Sequence, residues 1–166
     1  MTTELTTNPD EQFDLIQRKA KALAASTVIP KDYQNNIPNT LVALEMAHRI
    51  GASPLMVMQN LHIIHGRPSW SSTFIIAALN SCGRFSAIRF EDGEGSCKAV
   101  ATEKETGAIL SGPTVTIEMA KKEGWFQKAG SKWQTMPELM LKYRAAAFFG
   151  RLYAPEIMMG MHTEFE

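Results

Sequence analysis

The sequence predicts an α+β fold: a small antiparallel sheet, made of a hairpin plus a three-strand meander, packed with helices and closed by a long C-terminal core helix. Three observations carry it. Apolar residues recur at helical spacing near both ends of the chain. Three strand-like pieces follow one another in the middle, separated by GEGS and KETG turns. The stretch KWQTMPELMLKYRAAAFFGRLYAP, entered through Pro137, has the composition of one helix.

Each element follows in order. Phe13, Ile16, Ala20 and Leu23 form an apolar stripe that predicts a helix over 11–25, with Arg18, Lys19 and Lys21 mostly off it. Two prolines in STVIPKDYQNNIPN mark a loop. Asn39 as cap and Gly51 as stop predict a helix over 40–50. Ser53 and Pro54 open a short third one. Leu61 to His65 has strand composition, Gly66-Arg67 reads as a turn, and Pro68 to Trp70 returns as a short edge strand. Ser71 or Ser72 caps a fourth helix that Gly83 ends. The meander covers 87–91, 98–103 and 109–115. Thr116 caps a helix over 117–123, and a GWFQKAGSKWQ loop leads to the last helix.

A chain of 166 residues fits one core domain, expected over 11–160 with tails at 1–10 and 161–166. The first residues lack the zones of a signal peptide. No apolar run approaches the ~18 residues of a membrane span. Cys82 and Cys97 lack metal spacing and read as reduced thiols of a cytoplasmic protein. The ten methionines read as adaptable core or interface filler.

Lys and Arg number 17, as do Asp and Glu, so the net charge is zero. Its distribution is uneven. Glu91, Asp92, Glu94, Glu103 and Glu105 cluster in the meander, whereas Lys121, Lys122, Lys128, Lys132, Lys142, Arg144 and Arg151 make the later segment basic. A neutral chain with a basic groove can still bind phosphate, and opposed patches can join subunits.

Arg144, Phe148 and Arg151 fall on one helical stripe. Before them Trp125, Phe126 and Trp133 alternate with lysines. Aromatic rings stack on unpaired bases and cations hold the backbone, so this pattern points to single-stranded nucleic acid. Arg67 at the hairpin tip is a further candidate. The candidate contacts are Arg144, Arg151, Lys132, Lys142, Lys128, Arg67, Trp133, Lys121 and Lys122. Phe148 reads equally as core.

Signs of catalysis are sparse. His62 and His65, three apart in a strand, point to opposite faces and cannot chelate one ion. There is no GxxxxGK[ST] loop for a nucleoside triphosphate, no GxSxG elbow and no HExxH pair. No enzyme activity and no cofactor or metal are expected. Two alternatives remain at this point: a non-catalytic interaction module with a basic docking helix, and a metal-dependent nucleic-acid enzyme using His62 or His65 with a turn carboxylate.

The run IGASPLMVMQNLHIIHGRPSWSS, with a following helix closed by CGRF, resembles the opening of the core of RecT-type phage recombinases, the single-strand annealing proteins that include the Redβ group. TIEMAKKEGW and the closing KWQTMPELMLKYRAAAFFGRLYAPE are also similar to that family. The likeness runs from Asp14 to Gly160. It implies ATP-independent binding of single-stranded DNA, annealing through a duplex intermediate, and assembly into rings or helical filaments. By position it implies DNA contacts at Arg144, Lys132 and Trp133, a looser match at Arg151, and a hairpin around Gly66 near the DNA or the next subunit. It also implies a phage- or prophage-encoded protein in the bacterial cytoplasm. Its partners would be a phage exonuclease and a host single-strand binding protein, engaged through a C-terminal segment. This chain stops at MHTEFE instead of continuing into that segment.

Overall fold

A computed structural model describes residues 8–163. The chain separates into two compact units, the first ending at Ile63 and the second beginning at Ile64.

The first unit is helical. Helix α1 (Pro9–Ala24) begins two residues before the expected start. The Asn8 side chain accepts from the Asp10 amide at 3.4 Å, and Pro9 occupies the first turn, where its missing N–H costs nothing. Ala20 and Ala24 are buried where α1 packs on α2 (Ile37–Ile50). That second helix also starts three residues early. Asn36 is its cap, accepting from the Asn39 amide at 3.1 Å, so Asn39 is a donor to the cap. Pro38 sits in the first turn instead of breaking it. Gly51 ends the helix at φ +65°. Ser53 caps α3 (Pro54–Asn60), as expected. In the loop between α1 and α2, Tyr33 is fully buried and its hydroxyl donates to the Leu61 carbonyl. The boundary between the units falls within β1 (Leu61–Ile64).

The second unit opens with a two-residue turn at His65 and Gly66, whose φ angles are +50° and +76°. The turn lies one residue earlier than expected, so Arg67 is the first residue of β2 (Arg67–Trp70) and not the tip. Ser71 caps α4 (Ser72–Ser81). The meander follows as β3 (Arg89–Gly93), β4 (Ser96–Thr102) and β5 (Ile109–Ser111). Strand β4 is central, with Gly93 opposite Ser96 and Thr102 opposite Ile109. The expected strand over 109–115 is broken at Gly112-Pro113, since proline cannot donate to a ladder. A separate β6 (Val115–Thr116) pairs with the start of β4.

Helix α5 (Ile117–Lys122) is capped by Thr116. The long helix expected from Pro137 is α7 (Pro137–Tyr153); a short α6 (Lys132–Thr135) precedes it at the end of the expected loop, and α8 (Pro155–Met158) follows it. Met136 and Ala154, each preceding a proline, leave the helical region at φ −139° and −144°. Residues 162–163, expected in a tail, form β7 (His162–Thr163), parallel to β2 with Trp70 opposite Thr163.

Helix α7 is the hub of this unit, packing on β4 and α4. Ala145, Ala146, Ala147 and Phe149 are buried on it, and its small residues let the helix lie close to Ala99 and Ala101 of the sheet. Phe149 meets Phe85 edge to face at 5.4 Å. Burying such a ring stabilises by about 2–3 kcal/mol. The architecture is a small α+β fold with a long C-terminal core helix. No helix among the described residues is long and apolar enough to cross a membrane.

Candidate nucleic-acid interface

A cleft of about 1100 Å³ opens on the second unit. Four pieces of the chain carry its polar and aromatic walls. The turn and β2 give His65, Arg67 and Ser69. The segment after α5 gives Glu123, Trp125 and Lys128. Helix α7 gives Arg144, Phe148 and Arg151, and β7 gives His162 and Thr163. The α7 residues share a wall because spacings of four and three return a helix to the same face.

Local bonds fix the aromatic segment. The Trp125 amide donates to the Ala120 carbonyl at 3.0 Å, and the Ser131 hydroxyl donates to the Trp125 carbonyl at 2.6 Å. Ser131 also accepts from the Trp133 amide, capping α6. Trp125 therefore stacks on Trp133, with ring centroids 5.7 Å apart. Trp133 is buried beneath, while Trp125 is half-exposed and lines the cleft.

Arg144 is only 4 % exposed. Its guanidinium carbon lies 4.1 Å from the Trp125 ring centroid, and its Nη1 donates to the Thr163 hydroxyl at 3.3 Å. Phe148 is half-buried with Arg144 and Arg151 each 5.9 Å from its ring centroid. Among the described residues, Arg67, Lys128, Arg144 and Arg151 line the cleft together with the carboxylate of Glu123. Cations thus outnumber carboxylates among the described residues of the cleft, in a chain with no net charge.

Four sequence candidates meet here: Arg144, Arg151, Lys128 and Arg67. The other five do not line this cleft. Lys142 bridges Asp92 at 2.6 Å, bordering a separate 340 Å³ hollow with Gly93, Gly95 and Ser96. The hydrogen bond from Lys142 holds the Asp92 carboxyl below its ordinary value, and Asp92 in turn raises Lys142. Lys122 pairs with Glu118 at 2.7 Å, which raises its pKa. Lys121 lies 5.3 Å from the Phe126 ring. Lys132 is exposed on α6, and Trp133 is core.

Sequence reasoning left out Trp125, Glu123, His65, His162 and Thr163. Trp125 stood in the aromatic-basic loop, and only burial separates it from Trp133. His65 was read as part of a strand with His62; the positive φ places it in the turn instead. His162 and Thr163 carried no signal, because a two-residue strand is below the reach of periodicity. Cys82 and Cys97 are free thiols, and burial pushes Cys97 up to about 11. Among the described residues no three of His, Cys, Asp and Glu gather in a group that could hold a metal ion. Comparison with protein-family models and with curated proteins returns no match for this chain.

Proposed function

We propose that this chain binds single-stranded DNA in the cleft of its second unit and anneals complementary strands without ATP, in the manner of the RecT and Redβ proteins that its sequence resembles. The observation that carries the reading is the convergence of Arg67, Lys128, Arg144 and Arg151 with two aromatic rings, Trp125 and Phe148, on one open cleft. Cations that hold phosphates non-specifically, beside rings that accept any base face, suit a flexible strand of any sequence. Such contacts leave base edges available to a second strand. The work is organisation of strands and not bond-breaking, so the protein is read as a binding protein and not an enzyme.

Binding falls with salt, because each phosphate held releases counterions. Assembly of several copies along a strand adds weak contacts and offsets the neutral net charge. The same reading places the protein in the cytoplasm of a bacterial host, with an exonuclease and a single-strand binding protein as partners. The test is a labelled oligonucleotide titrated with protein at several salt concentrations, followed by a complementary-strand annealing time course. Salt-dependent binding with accelerated annealing supports the reading. Absence of binding at low salt overturns it.

A further inference from the structure

The cleft does not end at Arg151 and His162. Both residues also line a second hollow of about 370 Å³, whose remaining walls are Pro155, Met158, Gly160 and Met161. Local sequence builds it. Pro155 forces Ala154 out of the helical region, so the short α8 is set off from α7. Met159 and Gly160 then take left-handed conformations, at φ +52° and +69°, and turn the chain into β7. The Met161 amide donates to the Met158 carbonyl at 3.0 Å, which keeps the two methionines on one turn. Met158 is buried, with its sulfur lying against Gly150 of α7, while Met161 is half-exposed.

The chemistry of this hollow differs from that of the cleft. Among the described residues its lining holds no carboxylate and no aromatic side chain besides the His162 imidazole. Glu156, the acid of α8, is paired with Arg84 at 2.5 Å and does not line it. Two thioethers and a proline ring give an apolar interior, and a guanidinium and an imidazole stand at the junction with the cleft. The polarizable sulfur of methionine makes favourable contacts with aromatic rings. A volume of this size is at the low end for small-ligand pockets. It suits one flat ring with its sugar, not a helix or a second strand.

We infer that this hollow is a nucleobase pocket, which receives one unstacked base of a strand whose backbone passes Arg151 and His162. The inference rests on the reading of the cleft as a single-strand site and adds a second kind of base contact to it. The occupant is a base of that strand because hollow and cleft are continuous through the same two residues. A nucleotide also has the matching construction, a charged backbone joined to an apolar ring face. A base held there is withdrawn from pairing until it leaves, unlike bases lying on Trp125 and Phe148 in the open cleft.

The test footprints methionines by hydrogen peroxide oxidation, read by mass spectrometry, on the whole chain at low salt. Two ligands of equal length are compared: oligothymidylate, and an oligomer of abasic deoxyribose phosphate spacers that carries the charges without bases. Fluorescence anisotropy measures the binding of each. Oligothymidylate slows oxidation of Met161 several-fold, and the saturating spacer oligomer leaves it unchanged. Met56 and Met136, 42 % and 40 % exposed and lining neither cavity, are oxidised at the same rate throughout. Met161→Ala weakens oligothymidylate binding by roughly two- to tenfold, the range of a methionine–ring contact, and leaves the affinity for the spacer oligomer unchanged. Three results overturn the inference and leave the reading of the cleft standing: oligothymidylate bound with Met161 unprotected, equal protection by both ligands, or an unchanged oligothymidylate affinity in Met161→Ala. Failure of both ligands to bind at low salt overturns that reading, and the inference with it.

Discussion

The guanidinium of Arg144 lies over the ring of Trp125, 4.1 Å from its centroid, and is almost fully withdrawn from solvent. This makes Arg144 both a source of positive potential in the cleft and a strut that holds the aromatic segment to α7. A desolvated cation–π contact contributes about 2 kcal/mol. Arg144→Ala is expected to destabilise the second unit by roughly 1–3 kcal/mol, from lost packing and the lost bond to Thr163. Arg144→Lys recovers little of this, because an ammonium cannot lie flat on an indole. Urea melts followed by tryptophan fluorescence measure it; equal stability of the three proteins would remove the strut role.

Arg67 and Arg151 differ from Arg144 in exposure, and so should their variants. Arg67 is exposed and Arg151 partly so. Arg67→Ala and Arg151→Ala are each expected to change stability by less than about 0.5 kcal/mol. Each should weaken oligonucleotide binding and flatten the plot of log affinity against log salt by about 0.7 for a single strand. Lys142→Ala serves as contrast. Its ammonium is bound to Asp92 away from the cleft, so affinity and salt slope should stay unchanged. A salt slope that falls with Lys142→Ala but not with Arg151→Ala would move the binding surface to the other face.

How much of this was legible follows from the range of each signal. The stripe of Arg144, Phe148 and Arg151 was readable because helical geometry fixes it locally. The caps at Ser53, Ser71 and Thr116 were readable for the same reason. Lys142 was misplaced as a cleft residue because its partner, Asp92, is fifty positions away in sequence, on β3. Trp125 and Trp133 could not be ranked, since the buried member of a stacked pair is decided by what covers it. The contribution of β7 was invisible, because its pairing with β2 is a long-range event carried by two residues. The prolines at 38 and 137 were both visible: Pro38 opens a helix read as starting later, and Pro137 opens α7 where the helix was read to begin.

Alkaline pH should destabilise each unit through a buried acid that stays protonated when folded. Burial raises the Cys97 thiol to about 11 from an ordinary 9.0. Burial, with help from Asp32, raises the Tyr33 phenol to about 12 from 10.0. In both cases the folded state holds its proton more tightly than the unfolded state. Stability is therefore full below the unfolded values and is lost as pH rises through the folded ones, in a window from about pH 9 to 12. Denaturation midpoints should fall across that window, and Tyr33→Phe should flatten the fall above pH 10. Acid acts oppositely on Asp92. Its depressed carboxyl favours folding above the ordinary range and loses that effect as pH drops through its folded value. Below pH 9, Ellman's reagent should label the partly exposed Cys82 and leave Cys97 intact until unfolding.

Two glycines around α7 predict unequal responses to the same substitution. A Cβ on Gly112 would stand 3.3 Å from the Phe149 Cβ, 3.4 Å from the Phe149 Cα and 3.4 Å from the Ala99 carbonyl oxygen. Two of these neighbours belong to the core helix and the third to the central strand β4, so none can give way alone. The Gly112 amide also donates to that Ala99 carbonyl at 2.8 Å, and the contact cannot open without stretching this bond. Gly112→Ala is expected to cost about 1–3 kcal/mol by overpacking. A Cβ on Gly150 would instead meet the Met158 sulfur at 3.0 Å and its Cγ at 3.4 Å. A thioether side chain has rotamers to spare and can swing aside. Gly150 is also interior to α7, where alanine is better than glycine by about 1 kcal/mol. Gly150→Ala should therefore be close to neutral. Parallel urea melts of the two variants decide it: a loss at Gly150 as large as that at Gly112 would mean that Met158 is held as rigidly as the strand.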